Sequence, residues 1–288
     1  MSARALVSAI SLAAVLAACG PSGPAAGPRM CESLAPEHAG IVRSLRFEVA
    51  HMGISEGFDL DGANGAPPEA SGCRARDFRD PEGREGIDNQ LTAVVPAIEG
   101  MVGEGTLDGL LQGAINSGQL LMAITIEGID DLENDDCVAV SLRPLIGTPL
   151  VGTDGRLLDG QTLDIAPEAQ ISRYEGAVLR DGVVETGPFE IALPVSVLDA
   201  RFVIDLRGAR IRARIGPDGS LRGVLAGAIA NEQIIDIALT LGNLTSDLRM
   251  QVTTLVQLIA DLEPVDGRCT AFSASFPFEA GAGFVNAP

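Results

Sequence analysis

Asp59-x-Asp61-Gly62, followed downstream by Asp88-Asn89, is the pattern in this chain best suited to chemistry. Acids alternating along a turning loop can wrap several oxygens around one hard divalent cation, and the glycine permits the sharp turn. Asp77 and Asp80, which lie between the two halves, could complete the shell. Paired acids such as Asp59 and Asp61 would also serve a carboxylate-dependent hydrolase. The reading without chemistry is an acidic turn between a strand and a helix. A second acidic run, Asp130-Asp131-Leu132-Glu133-Asn134-Asp135-Asp136, must be solvated or bridged by a cation. Arg210, Arg212 and Arg214 alternate with Ile211, Ala213 and Ile215, so the arginines share one face of a strand. With Arg207 they could receive an anion or pair with carboxylates on a neighbouring strand.

Composition removes several classes of function. The 288 residues carry 39 acidic and 20 basic side chains, a formal net charge of −19. Such a body repels nucleic acid. Every basic residue is arginine, so Schiff-base, pyridoxal and P-loop chemistry lack their lysine. His38 and His51 are the two histidines, and neither lies in a nucleophile motif or at a zinc spacing. Trp is absent and Tyr174 is the single tyrosine, which disfavours sugar-stacking sites. Cys31, Cys73, Cys137 and Cys269 make an even set that fits two disulfides in an oxidising compartment. Three pairings are open. Cys31–Cys73 with Cys137–Cys269 is favoured, because Cys137 and Cys269 each open a strand after an acidic loop.

The segment 59–89 resembles the calcium loops of EF-hand, dockerin and thrombospondin type-3 modules, without their third closely spaced Asp or their bidentate Glu. That resemblance implies calcium as the cation. At the N-terminus, Arg4 precedes an apolar run from Ala5 to Val15 and then Leu16-Ala17-Ala18-Cys19. The run is too short to cross roughly 30 Å of hydrocarbon, and it resembles a bacterial lipoprotein signal with its lipobox. The resemblance implies that residues 1–18 are removed and that Cys19 carries lipid and anchors the chain in a membrane. Gly20 at the next position points to the outer membrane. The body, chiefly residues 42–128, resembles envelope lipoproteins that carry an Asp-Leu-Asp-Gly…Asp-Asn segment, a likeness that transfers no activity.

Residues 19–30 read as a Pro-rich tether and 31–288 as a folded region, with a subdivision conceivable near 165. Val42 to Phe58 reads as an extended segment. A helix starts at Asp88 or Asn89 and is interrupted at Pro96. Another, capped at Thr106, presents Leu107, Leu110, Leu111, Ala114 and Ile115 on one stripe and ends at Gly118. Strands are expected at Leu120–Ile126, Cys137–Val140, Ala209–Ile215 and Cys269–Phe278, with turns at Arg180-Asp181-Gly182 and Pro217-Asp218-Gly219. Gln233–Leu241 and Asp247–Leu262 read as helices. Leu107–Ile115 and Leu221–Ile229 share the pattern Leu-x-Gly-x-Leu-x-Gly-Ala-Ile, by chance or through a duplicated strand–helix unit. The sum is an α+β fold, a mostly antiparallel sheet packed against several amphipathic helices. Three functions fit: a lipid-anchored envelope protein with a structural or binding role, a carrier of a lipid-like ligand lined by Ile234–Leu239, or the hydrolase.

Overall fold

The computed structural model describes residues 31, 37–63, 73, 75–167, 169–197, 200–241 and 246–286. The lipobox, Cys19 and the tether lie outside them. Chain order runs β1 (Glu37–Leu45), β2 (Phe78–Arg79), β3 (Glu85–Ile87), α1 (Val95–Val102), α2 (Thr106–Asn116), β4 (Met122–Glu127) and β5 (Asp135–Ile146). It continues through β6 (Thr162–Ile165), β7 (Ser172–Arg180), β8 (Val183–Glu185), β9 (Phe189–Val197), β10 (Ala200–Ile215) and β11 (Leu221–Ala230). It closes with α3 (Asn231–Leu241), α4 (Ser246–Ile259), β12 (Leu262–Val265), β13 (Arg268–Ala282) and β14 (Phe284–Asn286).

Eight strands pair in the order β1–β4–β5–β7–β8–β10–β11–β13 and back to β1, each antiparallel to the next. The expected α+β sheet is therefore corrected to a closed eight-stranded barrel, mostly β among the described residues and with only short helices. Alternation along the strands explains the closure. On β13, Phe272, Ala274, Phe276, Phe278 and Ala280 join the core, while Ser273, Ser275, Pro277 and Glu279 take the other face. One row of partners, Leu179–Val184–Ala213–Gly223–Phe278–Leu45, runs around much of the wall. Small residues sit beside large ones, as a narrow barrel needs in order to fill its interior. Ile126, Val140, Leu179, Val184 and Ile211 are 0% exposed, so no water-sized space adjoins them.

The two ends differ. Connections 128–134, 181–182 and 216–220 close one end with short turns. Asp181 (φ 49°) and Gly182 (φ 71°) make the two-residue hairpin that suits strand twist. The long connections, which hold all four described α-helices, lie at the other end. There Ala114 and Ile115 of α2 and Val256 and Ile259 of α4 add to the core. Pro96 sits in the first turn of α1, after a separate 3₁₀ turn at Gln90–Ala93, where its missing N–H costs nothing. The extended reading of Val42–Phe58 holds in its first part: β1 stops at Leu45, but Arg46 N–H to Pro277 O and Glu48 N–H to Ser275 O, both 3.0 Å, carry its register a little further along β13. The shared Leu-x-Gly-x-Leu-x-Gly-Ala-Ile pattern is helix α2 in one copy and strand β11 in the other, so it marks no duplicated unit.

The disulfides are Cys31–Cys137 and Cys73–Cys269, which corrects the favoured pairing. Cys137 and Cys269 do each open a strand, but β5 begins at the short-turn end and β13 at the helical end. A barrel length separates them, beyond the reach of a disulfide.

Leu179→Ala should cost about 2–5 kcal/mol, because the closed wall cannot collapse onto the void. Leu258→Ala on α4, where Leu258 is 80% exposed, should stay within about 0.5 kcal/mol. Chemical denaturation of the two variants measures the difference.

Candidate metal centre

Phe58 positions the acidic corner. Its ring is buried against Val224 and Ala226, and the Arg212 guanidinium carbon stands 4.4 Å from the ring centroid. The chain then bridges to the residues after β3: Asp88 N–H donates to Phe58 O at 2.9 Å. This pins Asp59–Gly62 directly over Asp88. One Asp88 oxygen, Oδ2, accepts from Leu60 N–H at 2.7 Å and from Asp61 N–H at 3.3 Å. Asp59 Oδ1 accepts from Gly62 N–H at 2.6 Å, and Asp61 Oδ1 from Ala63 N–H at 2.8 Å. These local bonds fold both acids back over the turn. As a result Asp59, Asp61 and Asp88 each offer a carboxylate oxygen within 4.8 Å of the others. Asp88 is buried, Asp59 half-buried and Asp61 exposed, so the corner opens to solvent on one side.

Burial dominates the electrostatics here. Desolvation pushes the Asp88 carboxyl up to about 8; the Leu60 hydrogen bond opposes this, and the charges of Asp61, Asp261 and Asp77 add to it. Asp261 behaves alike. Desolvation raises it to about 7, although Ser273 donates to it through Oγ at 2.6 Å and N–H at 2.7 Å. Ser273 Oγ also accepts from Gln90 N–H at 2.8 Å, which ties Asp261 to the Asp88-Asn89-Gln90 turn. Asp261 was not expected from sequence. Its only local signal is an acid at the end of an apolar helical stripe.

Of the other expected ligands, Asn89 keeps a buried Oδ1 with no hydrogen-bond partner among the described residues, whereas Asp80 is held by arginine. Asn89 is fully buried, and its Nδ2 donates to Glu48 O at 3.0 Å and Ser55 Oγ at 2.9 Å. It joins the two ends of the strap, the connection from Glu48 to Gln90 that carries the acidic corner. Asp80 pairs with Arg84, accepts Arg84 N–H at 2.7 Å and lies 3.8 Å from Arg212. Asp77 contributes to the field at Asp88. The second acidic run bonds to its own backbone, with Asp135 accepting from Asp130 N–H and Cys137 N–H at 2.9 Å each, while Asp136 pairs with Arg180. On the arginine face, Arg207 meets Glu263 at 2.6 Å and Arg212 meets Glu185 at 2.8 Å. His38 lies on β1 and His51 in the loop after it. Of the apolar stretch 234–239, Ile234 packs against the core from α3.

A carboxyl whose folded value is raised adds stability that is complete below its unfolded value, near 3.8, and lost as pH rises towards 8. Metal-free protein should therefore lose stability between about pH 4 and 8, by an amount on the order of a few kcal/mol at this site. Asp88→Asn should flatten that slope. Melting curves in chelator across this range, wild type against variant, provide the measurement; parallel slopes would show that Asp88 ionises freely in the fold.

No family model, curated protein or solved structure matches this chain, so no activity transfers to it by likeness.

Proposed function

We propose that the chain is a lipid-anchored protein of the cell envelope with a structural or binding role, and that calcium at Asp59, Asp61 and Asp88 stabilises it. The observation that carries the cation is the convergence of three carboxylate oxygens within 4.8 Å. Carboxylates at that spacing repel one another, and a hard divalent ion turns the repulsion into attraction. Calcium suits a corner built partly from a flexible loop better than magnesium, which demands a tighter octahedron. Two disulfides suit an oxidising, extracytoplasmic compartment. Among the described residues no helix is long and apolar enough to cross a membrane. Lipid on Cys19 would supply the attachment. A closed barrel is also a form that carriers adopt, but the inward side chains named above leave no free space beside them, which favours the structural or binding role.

Millimolar calcium should raise the melting temperature by several degrees, since an ion at a hundredfold excess over its Kd adds about 2.7 kcal/mol. Chelator should reverse the rise. Asp61→Ala should abolish it at little cost to the metal-free protein, because it relieves repulsion. Equal melting temperatures with calcium and with chelator would return the corner to an acidic turn. The anchor has its own test: Cys19→Ser should eliminate incorporation of a fatty-acid label, and label retained in the variant would refute lipidation there.

A further inference from the structure

Outside the acidic corner, one cleft gathers arginines. It measures about 440 Å³ and lies against the outer face of β10 and β11, with Arg84, Arg180, Arg212, Arg214 and Arg222 on its walls. Arg214 and Arg222 are direct partners across the β10–β11 ladder. Like charges placed opposite each other on one face of a sheet are destabilising.

Their partners account for only part of this charge. Arg212 is matched by Glu185 and Asp80, Arg84 by Asp80 and Glu82, and Arg180 by Asp136. Arg222 reaches Glu279 at 3.4 Å, but Glu279 also serves Arg156 at 2.7 Å and Arg43 at 4.0 Å. Among the described residues Arg214 has no carboxylate in ion-pair reach; its Nη1 donates to the Asp181 carbonyl at 3.0 Å. A chain with 39 acids and 20 bases has no shortage of carboxylates. An arginine pair left this poorly neutralised is positioned for an anion from outside.

We propose that this cleft binds a phosphate-type oxyanion between Arg214 and Arg222. Guanidinium forks match the oxygens of phosphate in paired hydrogen bonds, and Arg214 retains most of its five donors. Glu56, Asp80, Glu82 and Asp181 also line the cleft. Their charge selects a single phosphate over a polyanion. The site lies near the short-turn end, where Cys137 holds Cys31. On the anchor reading, the stretch from Cys19 to Cys31 spans at most ~40 Å, so lipid headgroups come within range of this end. The phosphate is then either free or that of a lipid headgroup.

The experiment uses the full chain with chelator present, which silences the acidic corner. In nonionic detergent, sodium phosphate is titrated against sodium chloride at matched ionic strength. In a second arm the chain is reconstituted into phosphatidylcholine vesicles with or without phosphatidylglycerol, and hydrogen exchange of residues 214–222 is followed. A saturable rise in melting temperature with phosphate identifies free phosphate. Slower exchange with phosphatidylglycerol, without a phosphate response, identifies the headgroup. In either case Arg214→Gln/Arg222→Gln should weaken the response about tenfold or more and should melt no lower than wild type in phosphate-free buffer. Arg214→Gln alone, which leaves the Arg222–Glu279 pair intact, serves if the double variant folds poorly. Arg207→Gln, whose partner is Glu263, should leave the response unchanged. Silence in both arms, or a response that survives loss of both arginines, overturns the proposal. The phosphate arm does not depend on lipidation, so failure of the anchor reading would be seen separately.

Discussion

Closure of the ladder is the constraint on which the rest of the structure depends. Once β13 pairs with β1 and β5 with β7, none of the eight wall strands presents a free edge along its ladder. Every second residue then points into a space that only close-packed apolar side chains can fill. That fixes the interior as a single core of Ile, Leu, Val, Phe and Ala. It leaves no polar group pointing into the middle of the wall rows traced here. Chemistry must therefore sit on the outside or at the ends. The short turns leave little chain for it at one end, so the long connections at the other carry the helices and the strap that builds the acidic corner.

That strap is held by a set of unlike contacts, each answering a different physical demand. Phe58 removes an apolar ring from water beneath two arginines. Asn89 satisfies a backbone carbonyl and a hydroxyl inside the protein. Gln90, Ser273 and Asp261 form a chain of hydrogen bonds from the strap through β13 to the residue before β12. Cys73–Cys269 ties the same region to the start of β13. Together they hold Asp88 in a low-dielectric position that a lone carboxylate would avoid. Water or a flexible chain would let the three acids separate; the strap does not.

Much of the local structure was legible. Alternation predicted the Ala209–Ile215 part of β10, periodicity predicted α2, and Asp181-Gly182 predicted a hairpin, because each depends on neighbours in the chain. Barrel closure was not legible, since it is decided by pairings between distant strands. The repeated Leu-x-Gly-x-Leu-x-Gly-Ala-Ile pattern shows why. In α2, a side chain at Gly109 or Gly113 would meet open space; in β11, one at Gly227 would press on Ala209 and Leu206, and one at Gly223 would run into the backbone of Arg212. The same residues satisfy both settings. The turn at Pro217–Gly219 commits β11 to pair back on β10, whereas Gly103 and Gly105, both with positive φ, release the chain into a helix. Asp59, Asp61 and Asp88 could be grouped because their spacing falls within one strap. Asp261 and the cysteine pairing could not, as each depends on which end of the barrel a residue occupies.

Charge is distributed along the same division. The chain is strongly acidic, yet arginines gather on the outer faces of β10 and β11, where they neutralise acids drawn from the strap and from neighbouring strands. Arginine suits this role because its planar fork can serve two carboxylates and still stack on an aromatic ring, as Arg212 does with Glu185, Asp80 and Phe58. Lysine could not do both. Among the described residues no arginine forms an ion pair with Asp59, Asp61 or Asp88, and there the remedy for repulsion comes from protons or from a cation. Protonation serves at low pH and fails as Asp88 ionises. A bound divalent ion would take the place of the Asp88 proton and hold the strap at neutral pH and above, and would make the integrity of this face depend on the ion content of the surrounding compartment.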